Sequence, residues 1–238
     1  MPIPLLPQHG VGIVAPYDFA LDREVWRWVP DDVSLYVTRT PRLAVPVTVE
    51  MAQLVSETSI VQSGTAEVLT AEPEVVAYLC TSGSFVGGME GERELREAMS
   101  TTGAPAALTT SGALLEALEH LGIKRIAVAT PYVESVTVRL HDFLGEAGVS
   151  VTSSAHLGLL DHIWQVGYDE VTQLGVDADH PDAQALFLSC TNLPTYDAIP
   201  PLEEALGKPV LSANQVTMWA ALRACGITPP PNGQRLFA

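Results

Sequence analysis

Basic residues are scarce in this chain. Its 238 residues include 12 Lys and Arg against 28 Asp and Glu, which gives a formal net charge of −16 at pH 7. Nucleic-acid backbones and anionic membrane surfaces are bound through basic faces, which this composition does not supply. We therefore expect neither nucleic acid nor a membrane as a partner. A small anion would have to be bound by local hydrogen-bond donors.

Long apolar runs and paired cysteines are also missing. No stretch approaches the roughly 18 consecutive apolar residues of a membrane span, and Met1–Pro7 lacks the basic start and apolar core of a signal peptide. The three cysteines form neither a CxxC pair nor an even disulfide framework, and the histidines lack metal-ligand spacing. These absences predict a cytoplasmic protein with free thiols and no metal site.

Motifs for nucleotide binding and for a serine nucleophile do not occur either. The chain contains neither GxxxxGKS/T nor GxGxxG, and a GxSxG elbow is absent. Ser82-Gly83-Ser84 and Gly87-Gly88 are too irregular to replace them. A nucleotide cofactor is therefore not expected.

The chain does have a regular alternation of strands and helices. Apolar runs such as Val11–Ala15 and Arg125–Ala129 end in turn formers, and helical periodicity follows each of them. Serial β-turn-α units are typical of α/β proteins with mainly parallel sheets. The pattern also predicts one amphipathic helix from about residue 48 to 71, interrupted near Gly64, and a loop from Cys80 through Gly88.

Two of the predicted strands end in the same way. Val75–Leu79 runs into Cys80-Thr81-Ser82, and Ala185–Ser189 runs into Cys190-Thr191-Asn192. Ligands of parallel sheets bind beyond the carboxyl ends of the strands. Both cysteines are thus predicted to lie where such a ligand would bind, whereas Cys225 ends an apolar helix and is interpreted as a core residue.

The two halves of the chain match each other. Val14–Tyr17 corresponds to Ala129–Tyr132, and Leu79–Ser82 to Ser189–Asn192, at offsets of 115 and 110 residues. This repeat predicts two pseudo-symmetric α/β lobes, each a mainly parallel sheet flanked by helices, with the active site in the cleft between them. We expect a first lobe over residues 1–110, a second over 111–208, and a C-terminal strand and helix over 209–238 that pack back on the first lobe.

Two thiols that face each other across a cleft permit several reactions. Backbone N–H groups at a strand end can lower the pKa of a thiol and can hold a substrate carboxylate. Two thiols that both move protons would invert a stereocentre, as in a racemase. One thiol that adds to an activated alkene would give a cis-trans isomerase. A single thiol could instead protonate the enediolate that decarboxylation leaves.

These residues resemble a known family. Leu79–Gly88, Ala129–Tyr132 and Ser189–Thr195 are similar to the aspartate/glutamate racemase superfamily, in the branch of maleate cis-trans isomerases and arylmalonate decarboxylases. The resemblance covers nearly the whole chain and implies a cofactor-independent enzyme of two lobes. Isomerases of that branch carry both cysteines, and decarboxylases keep the second. It therefore implies an isomerase of the maleate-to-fumarate type, with Cys80 as nucleophile and Cys190 as acid and base.

The resemblance also indicates how a small carboxylate substrate would be held. Donors are expected from Thr81, Ser82, Tyr132, Thr191 and Asn192. Isomerases of the branch have Asn where this chain has Tyr17 or Asp18, and again where it has His162. These three residues are therefore further substrate-binding candidates, and a carboxylate other than maleate stays open as the substrate. A racemase of amino acids or hydantoins, an arylmalonate-type decarboxylase and a non-catalytic carboxylate-binding relative stay open. We also expect a homo-oligomer.

Overall fold

Two parallel β-sheets form the framework of the molecule. A computed structural model describes residues 9–238, so the segment Met1–Pro7, interpreted above as unlike a signal peptide, lies outside the described residues. The first sheet has the strand order β2-β1-β3-β4. Its strands are β1 (His9–Ala15), β2 (Val33–Arg39), β3 (Val75–Tyr78) and β4 (Ala107–Thr109).

The second sheet repeats the plan of the first. Its strands are β5 (Arg125–Thr130), β6 (Ser150–His156), β7 (Ala185–Leu188) and β8 (Val210–Ser212), in the order β6-β5-β7-β8. All pairings in both sheets are parallel. The predicted α/β architecture of two pseudo-symmetric lobes is therefore confirmed.

Helices cover the faces of both sheets. In the first half they are α1 (Asp22–Val25), a 3₁₀ turn (Trp26–Trp28), α2 (Val49–Val55), α3 (Thr58–Leu69), α4 (Thr81–Phe85), α5 (Gly88–Thr102) and α6 (Thr110–His120). In the second half they are α7 (Glu134–Glu146), a 3₁₀ turn (Ile163–Gln165), α8 (Tyr168–Ala178), α9 (Ile199–Leu206), α10 (Ala213–Ala224) and a 3₁₀ turn (Arg235–Phe237). Within residues 9–238, none of these helices combines the length and apolar character that crossing a membrane requires.

The central strands are short and completely buried. Every residue of β3 and β7 is buried, and neither strand contains a charged side chain. Strands covered by helices on both faces have such continuous apolar runs. Cys80 and Cys190 follow these two strands, so the core fixes where both thiols emerge.

The C-terminal strand and the helix that follows it pack on different halves of the chain. β8 pairs with β7 in the second sheet, so the expectation that this strand packs on the first lobe is wrong. It covers the edge of β7 that would otherwise be open, as β4 does for β3. Helix α10 packs against α6, β3 and β4, and Thr217 Oγ1 donates to Thr110 Oγ1 at 3.0 Å. The predicted lobe boundaries otherwise stay a prediction.

Two local expectations are also wrong. The predicted helix over residues 48–71 breaks at Ser56-Glu57 rather than near Gly64. Gly64 lies inside α3, where a Cβ atom would be 2.7 Å from Val14 Cγ1, so this glycine allows close packing of α3 on β1. The predicted loop after Cys80 is α4, which begins at the next residue.

Candidate active site

A narrow pocket lies where β3 and β7 end. Cys80 and Cys190 both line it, together with residues from the two halves of the chain. The predicted meeting of the two thiols at one site is therefore seen in the structure. The lining residues are Pro16, Asp18, Val47, Met51, Cys80, Thr81, Ser82, Tyr132, Ile163, Cys190, Thr191 and Asn192.

Cys80 is the residue immediately before the first turn of α4. Its backbone is extended, with φ −144° and ψ 111°, and its sulfur lies 4.0 Å from Ser82 Oγ. Gly83 leaves room for this arrangement, because a Cβ atom there would be 2.4 Å from the Tyr78 hydroxyl and 3.1 Å from Cys80 Sγ. Tyr78 in turn donates to the Val55 carbonyl at 2.8 Å. The nucleophile candidate is thus fixed from behind by a buried tyrosine.

Cys190 has an unusual backbone conformation. Its φ of 94° lies in the left-handed region, which costs free energy for a residue with a Cβ atom. The Asn192 backbone N–H donates to Cys190 Sγ at 3.3 Å. The turn therefore aims an amide at the sulfur, as the strand-end pattern predicts.

The acidity of the two thiols differs from the sequence expectation. Burial raises the pKa of Cys80 to about 11, and the Gly83 backbone N–H and the Tyr78 hydroxyl only partly oppose it. Burial likewise raises the pKa of Cys190 to about 12, against the lowering effect of the Asn192 N–H. The turn amides lower the pKa of each thiol as expected, but desolvation outweighs them, so the net shift of both pKa values is upward.

Several neutral donors surround the thiols. Thr81 Oγ1 is buried and has no hydrogen-bond partner in the described part of the chain, so it is free to donate to a ligand. Tyr132 is 1% exposed, and burial keeps its hydroxyl protonated by raising its pKa well above the ordinary value. Ser82 and Thr191 line the same pocket. These four side chains are brought together as predicted.

The Asn192 side chain is held by the loop after β1. Its Oδ1 accepts from the Ala20 backbone N–H at 2.9 Å, and its Nδ2 donates to the Asp18 carbonyl at 2.9 Å. Both ends of the amide are therefore occupied by the loop after β1. The side chain ties that loop to the Cys190 turn, and the Asn192 backbone N–H donates to the Cys190 sulfur. A contact of Asn192 with substrate stays a prediction.

Asp18 brings a carboxyl group to the pocket wall. It is half-buried, and burial raises its pKa above the ordinary value. Its negative charge also raises the pKa of both Cys80 and Cys190. None of the twelve lining residues, all within the described chain, is Lys or Arg.

Tyr17 and His162 are not among the lining residues. The Tyr17 hydroxyl donates to the Val45 carbonyl at 3.3 Å and so holds the loop after β2. The His162 side chain is 58% exposed and lies 3.0 Å from the Asp161 carboxylate. The next residue, Ile163, lines the pocket instead.

An apolar part of the pocket wall was not predicted from the sequence. Val47, Met51 and Ile163 line the pocket beside the thiols, and all three are buried. The Val47 N–H donates to the Leu160 carbonyl at 2.7 Å, which joins this wall across the cleft. Their sequence signal is that of ordinary core residues, so the pattern alone could not distinguish them.

The described residues contain no group of three or more His, Cys, Asp or Glu side chains arranged to hold a metal ion. The pocket residues supply two thiols, one carboxyl group, neutral donors and an apolar wall. Such a site can hold a small carboxylate and can move protons or form a thioether at an adjacent carbon.

Sequence comparison gives two kinds of relative. A model of the arylmalonate decarboxylase family matches residues 51–237. Arylmalonate decarboxylase of Bordetella bronchiseptica is 38% identical over 157 residues, which cover 64% of this chain and 65% of the relative, slightly less than two thirds of that protein. Maleate isomerase of Geobacillus stearothermophilus is 30% identical over 183 residues and 72% of each chain.

Solved structures agree with these matches. A double mutant of arylmalonate decarboxylase in its liganded form has a TM-score of 0.88 at 30% identity, over 96% of this chain and 98% of that one. A cysteine-to-serine mutant of Nocardia farcinica maleate cis-trans isomerase, with a covalently bound succinylcysteine intermediate, has a TM-score of 0.88 at 22% identity and shares the fold, over 96% of this chain and 98% of that one. The resemblance found in the sequence is confirmed, and the chain belongs to the arylmalonate decarboxylase family.

Proposed function

We propose that the protein is a cofactor-independent cis-trans isomerase of a small unsaturated dicarboxylate, of the maleate-to-fumarate type. The observation that carries the proposal is the presence of two thiols, Cys80 and Cys190, in one buried pocket with neutral donors. Addition to an alkene needs a nucleophile on one carbon and a proton donor on the next. One thiol can serve each carbon.

The proposed reaction regenerates both cysteine side chains in their starting protonation states. The Cys80 thiolate forms a C–S bond with one alkene carbon, and the Cys190 thiol delivers its proton to the adjacent carbon. The resulting saturated adduct rotates about its new C–C single bond. The Cys190 thiolate then removes a proton, the C–S bond breaks, and the trans alkene leaves with Cys80 again a thiolate.

The donors around the thiols suit the charge that develops in this reaction. Addition of sulfur pushes electrons toward the substrate carboxylate, which gains enediolate character before the proton arrives. Thr81 Oγ1, without a partner among the described residues, and the Tyr132 hydroxyl would donate to that group, since both residues line the pocket. Preorganised donors of this kind are worth most in a site from which water is excluded.

The relatives support this assignment without fixing the substrate. Maleate isomerases are among the similar proteins, and one isomerase structure contains a succinylcysteine intermediate. Such an adduct is the species that the proposed steps form on Cys80. The carboxyl group of Asp18 at the pocket wall favours a substrate that tolerates a nearby negative charge.

A second candidate is decarboxylation of an arylmalonate-type diacid. The apolar wall of Val47, Met51 and Ile163 would hold an aromatic or alkyl substituent, which maleate lacks. Loss of carbon dioxide would leave an enediolate, and Cys190 would protonate its carbon. Cys80 would have no covalent role in this reaction, so the two candidates differ in their dependence on that thiol.

Activity of Cys80→Ser and Cys190→Ser beside the wild type tests the proposal. Maleate loss and fumarate formation are followed together with carbon dioxide release from a phenylmalonate. The isomerase proposal expects fumarate from the wild type and loss of isomerisation in both variants, with a mass increase on Cys80 equal to the substrate trapped in Cys190→Ser. Carbon dioxide release that survives in Cys80→Ser, without isomerisation by the wild type, would replace it by the decarboxylase.

A further inference from the structure

A buried carboxyl group of the first half of the chain contacts the Cys190 turn in the second half. Glu24, in α1, is 6% exposed. Its oxygens accept from the Thr195 backbone N–H at 3.1 Å and from Thr195 Oγ1 at 3.0 Å. Asn214 Nδ2 approaches at 3.4 Å, and the Tyr168 hydroxyl at 3.3 Å. A buried carboxyl group is costly unless its acceptors are satisfied in this way.

The partners of Glu24 hold both ends of the turn. Asn214 Nδ2 also donates to the Thr191 carbonyl at 2.9 Å, directly after Cys190. The Thr195 hydroxyl also lies within hydrogen-bond distance of Ser212 Oγ, at 2.9 Å, next to the start of α10. The segment from Thr191 to Thr195 is therefore fixed at its first carbonyl and at its last amide.

This support coincides with backbone strain at the thiol. Cys190 has a φ of 94°, and a non-glycine residue stays in this region only when its surroundings enforce it, at a cost of about 1–3 kcal/mol. Cys190 is also 8% exposed. A turn released from its anchors would relax toward an ordinary conformation and carry the sulfur with it.

The corresponding turn at Cys80 is held differently. The Thr81 carbonyl accepts from Ser84 Oγ at 2.9 Å and from Ser111 Oγ at 3.3 Å. These partners belong to α4 and α6, and none is a carboxyl group. Only the Cys190 turn therefore depends on a charged group that reaches across the cleft.

We propose that Glu24 is a positioning residue for Cys190. Through Thr195 and Asn214 it holds the strained turn from the opposite side of the cleft, so that the Cys190 sulfur faces the pocket only while α1 is docked. The proposal rests on the proposed function only where it uses Cys190 as the acid and base. It assigns Glu24 no contact with substrate.

The test compares the two thiols within one folded protein. Glu24→Ala and Glu24→Gln are alkylated with iodoacetamide, and the labelling of Cys80 and Cys190 is resolved by peptide mass spectrometry. In Glu24→Ala the ratio of Cys190 to Cys80 labelling should rise about tenfold, as expected when a strained segment opens locally. Glu24→Gln keeps one oxygen acceptor and should change the ratio less.

Asp197→Asn is the matched control. Asp197 pairs with Arg27 at 2.7 Å across the same cleft, but both side chains are largely exposed, and such pairs contribute little. This variant should leave the labelling ratio unchanged. An unchanged ratio in folded Glu24→Ala, or an equal change in Asp197→Asn, would overturn the proposal. If Glu24→Ala does not fold, Glu24→Gln is judged by faster amide exchange at residues 191–195 than at 81–85, and equal exchange overturns it.

Steady-state kinetics distinguish the positioning role of Glu24 from the proposed isomerase function. Glu24→Ala should lower kcat while KM changes little, because the residue does not touch substrate. The labelling ratio needs no substrate, so it reports on Glu24 even if the isomerase assignment fails. A rise in KM with unchanged kcat would place Glu24 in binding instead and contradict a positioning role.

Discussion

The two pocket thiols hold their protons more tightly in the folded protein than they would in water. Burial raises the pKa of Cys80 to about 11 and that of Cys190 to about 12. At pH 8 only about one Cys80 side chain in a thousand is then ionised. We predict that alkylation of Cys80 and turnover both increase steadily from pH 7 to pH 10.

Initial rates of alkylation against pH measure this effect, with peptide mass spectrometry to separate the sites. The same protein unfolded in guanidinium is the control, and there all thiols should titrate near the ordinary value of about 8.5. A folded-state plateau below pH 9 would show that some group in the resting pocket ionises Cys80, and the steady increase would then be wrong.

Asp18 should limit the binding of a second substrate carboxylate. Its side chain lines a pocket without lysine or arginine, and burial raises its pKa. The protonated acid tolerates a carboxylate, whereas the ionised form repels it. We predict that Asp18→Asn lowers the KM for maleate at pH 8 by about tenfold, equivalent to ~1.4 kcal/mol.

The pH dependence of KM tests whether ionised Asp18 weakens substrate binding. In the wild type, KM should rise as pH increases through the raised pKa of Asp18, and in Asp18→Asn it should stay flat over that range. Asp161→Asn, which changes a side chain that is 76% exposed, serves as control. A KM for Asp18→Asn that equals or exceeds the wild-type value would indicate that the carboxyl group helps to bind substrate.

Site residues were predictable from the sequence where strand ends fix them. Cys80, Thr81, Cys190 and Thr191 line one pocket because they lie two or three residues beyond the ends of β3 and β7. The orientations of Tyr17, Asn192 and His162 depend on loops and on the opposite half of the chain, which local pattern does not encode. Glu24 was missed for the same reason, since its partner Thr195 is 171 residues away.

At the scale of elements, α4 determines how the first thiol is presented. Gly83, in its first turn, passes close to both Tyr78 and Cys80. We predict that Gly83→Ala destabilises the protein by about 1–3 kcal/mol, as overpacking does, and that it lowers kcat/KM by about a hundredfold because the sulfur shifts. Urea unfolding and steady-state kinetics measure the two effects.

Gly91→Ala is the matched control for this substitution. Gly91 lies in α5, and a Cβ atom there would meet nothing within 4 Å. Alanine in a helix interior should stabilise by up to about 1 kcal/mol relative to glycine, with activity unchanged. Full activity in Gly83→Ala would mean that Tyr78 and Cys80 can shift without consequence, contrary to the prediction.

Element boundaries show where local pattern fails. The periodicity over residues 48–71 is continuous, yet α2 ends at Val55 and α3 begins at Thr58. Gly64 was the expected break because glycine weakens isolated helices. Gly64 instead lies inside α3 and packs closely on Val14 of β1. A single sequence does not distinguish a glycine that breaks a helix from one that allows close packing.

At the scale of the whole molecule, the repeat in the sequence describes the lobes but not their mutual packing. The matching order of the two sheets follows from the repeated β-turn-α units. The contact of α10 with α6 and the docking of Glu24 beneath Cys190 join segments that are far apart in sequence. The hydrophobic pattern of a helix predicts which of its faces is buried, but it does not predict which other element covers that face.

The acidity of the chain should make its stability depend on pH in an unusual direction. Burial raises the pKa of four carboxyl groups, those of Asp18, Glu24, Glu116 and Glu203. A carboxyl group whose folded pKa is raised contributes stability below its unfolded value, and that contribution is lost as pH rises through the folded value. The net charge of −16 at pH 7 adds self-repulsion that grows over the same range.

Two groups oppose this trend. The lowered pKa of Asp197 reflects an exposed pair with Arg27, which is worth little. Burial lowers the pKa of His141. This histidine therefore lowers the stability of the folded protein as pH falls below the ordinary histidine pKa near 6.5. Because four carboxyl groups with raised pKa values stand against this one histidine, we predict that the free energy of unfolding, and with it Tm, is higher at pH 5.5 than at pH 8.

Calorimetry at constant ionic strength, at pH 5.5, 6.5 and 8, measures this difference, and a second series at high salt separates its two causes. Salt screens the self-repulsion of surface charges but leaves the desolvation of buried carboxyl groups in place, so part of the difference should persist. Glu203→Gln, which removes one of the four groups, should reduce that persistent part. A Tm that is higher at pH 8 in both series would show that the hydrogen bonds to these carboxylates outweigh their burial.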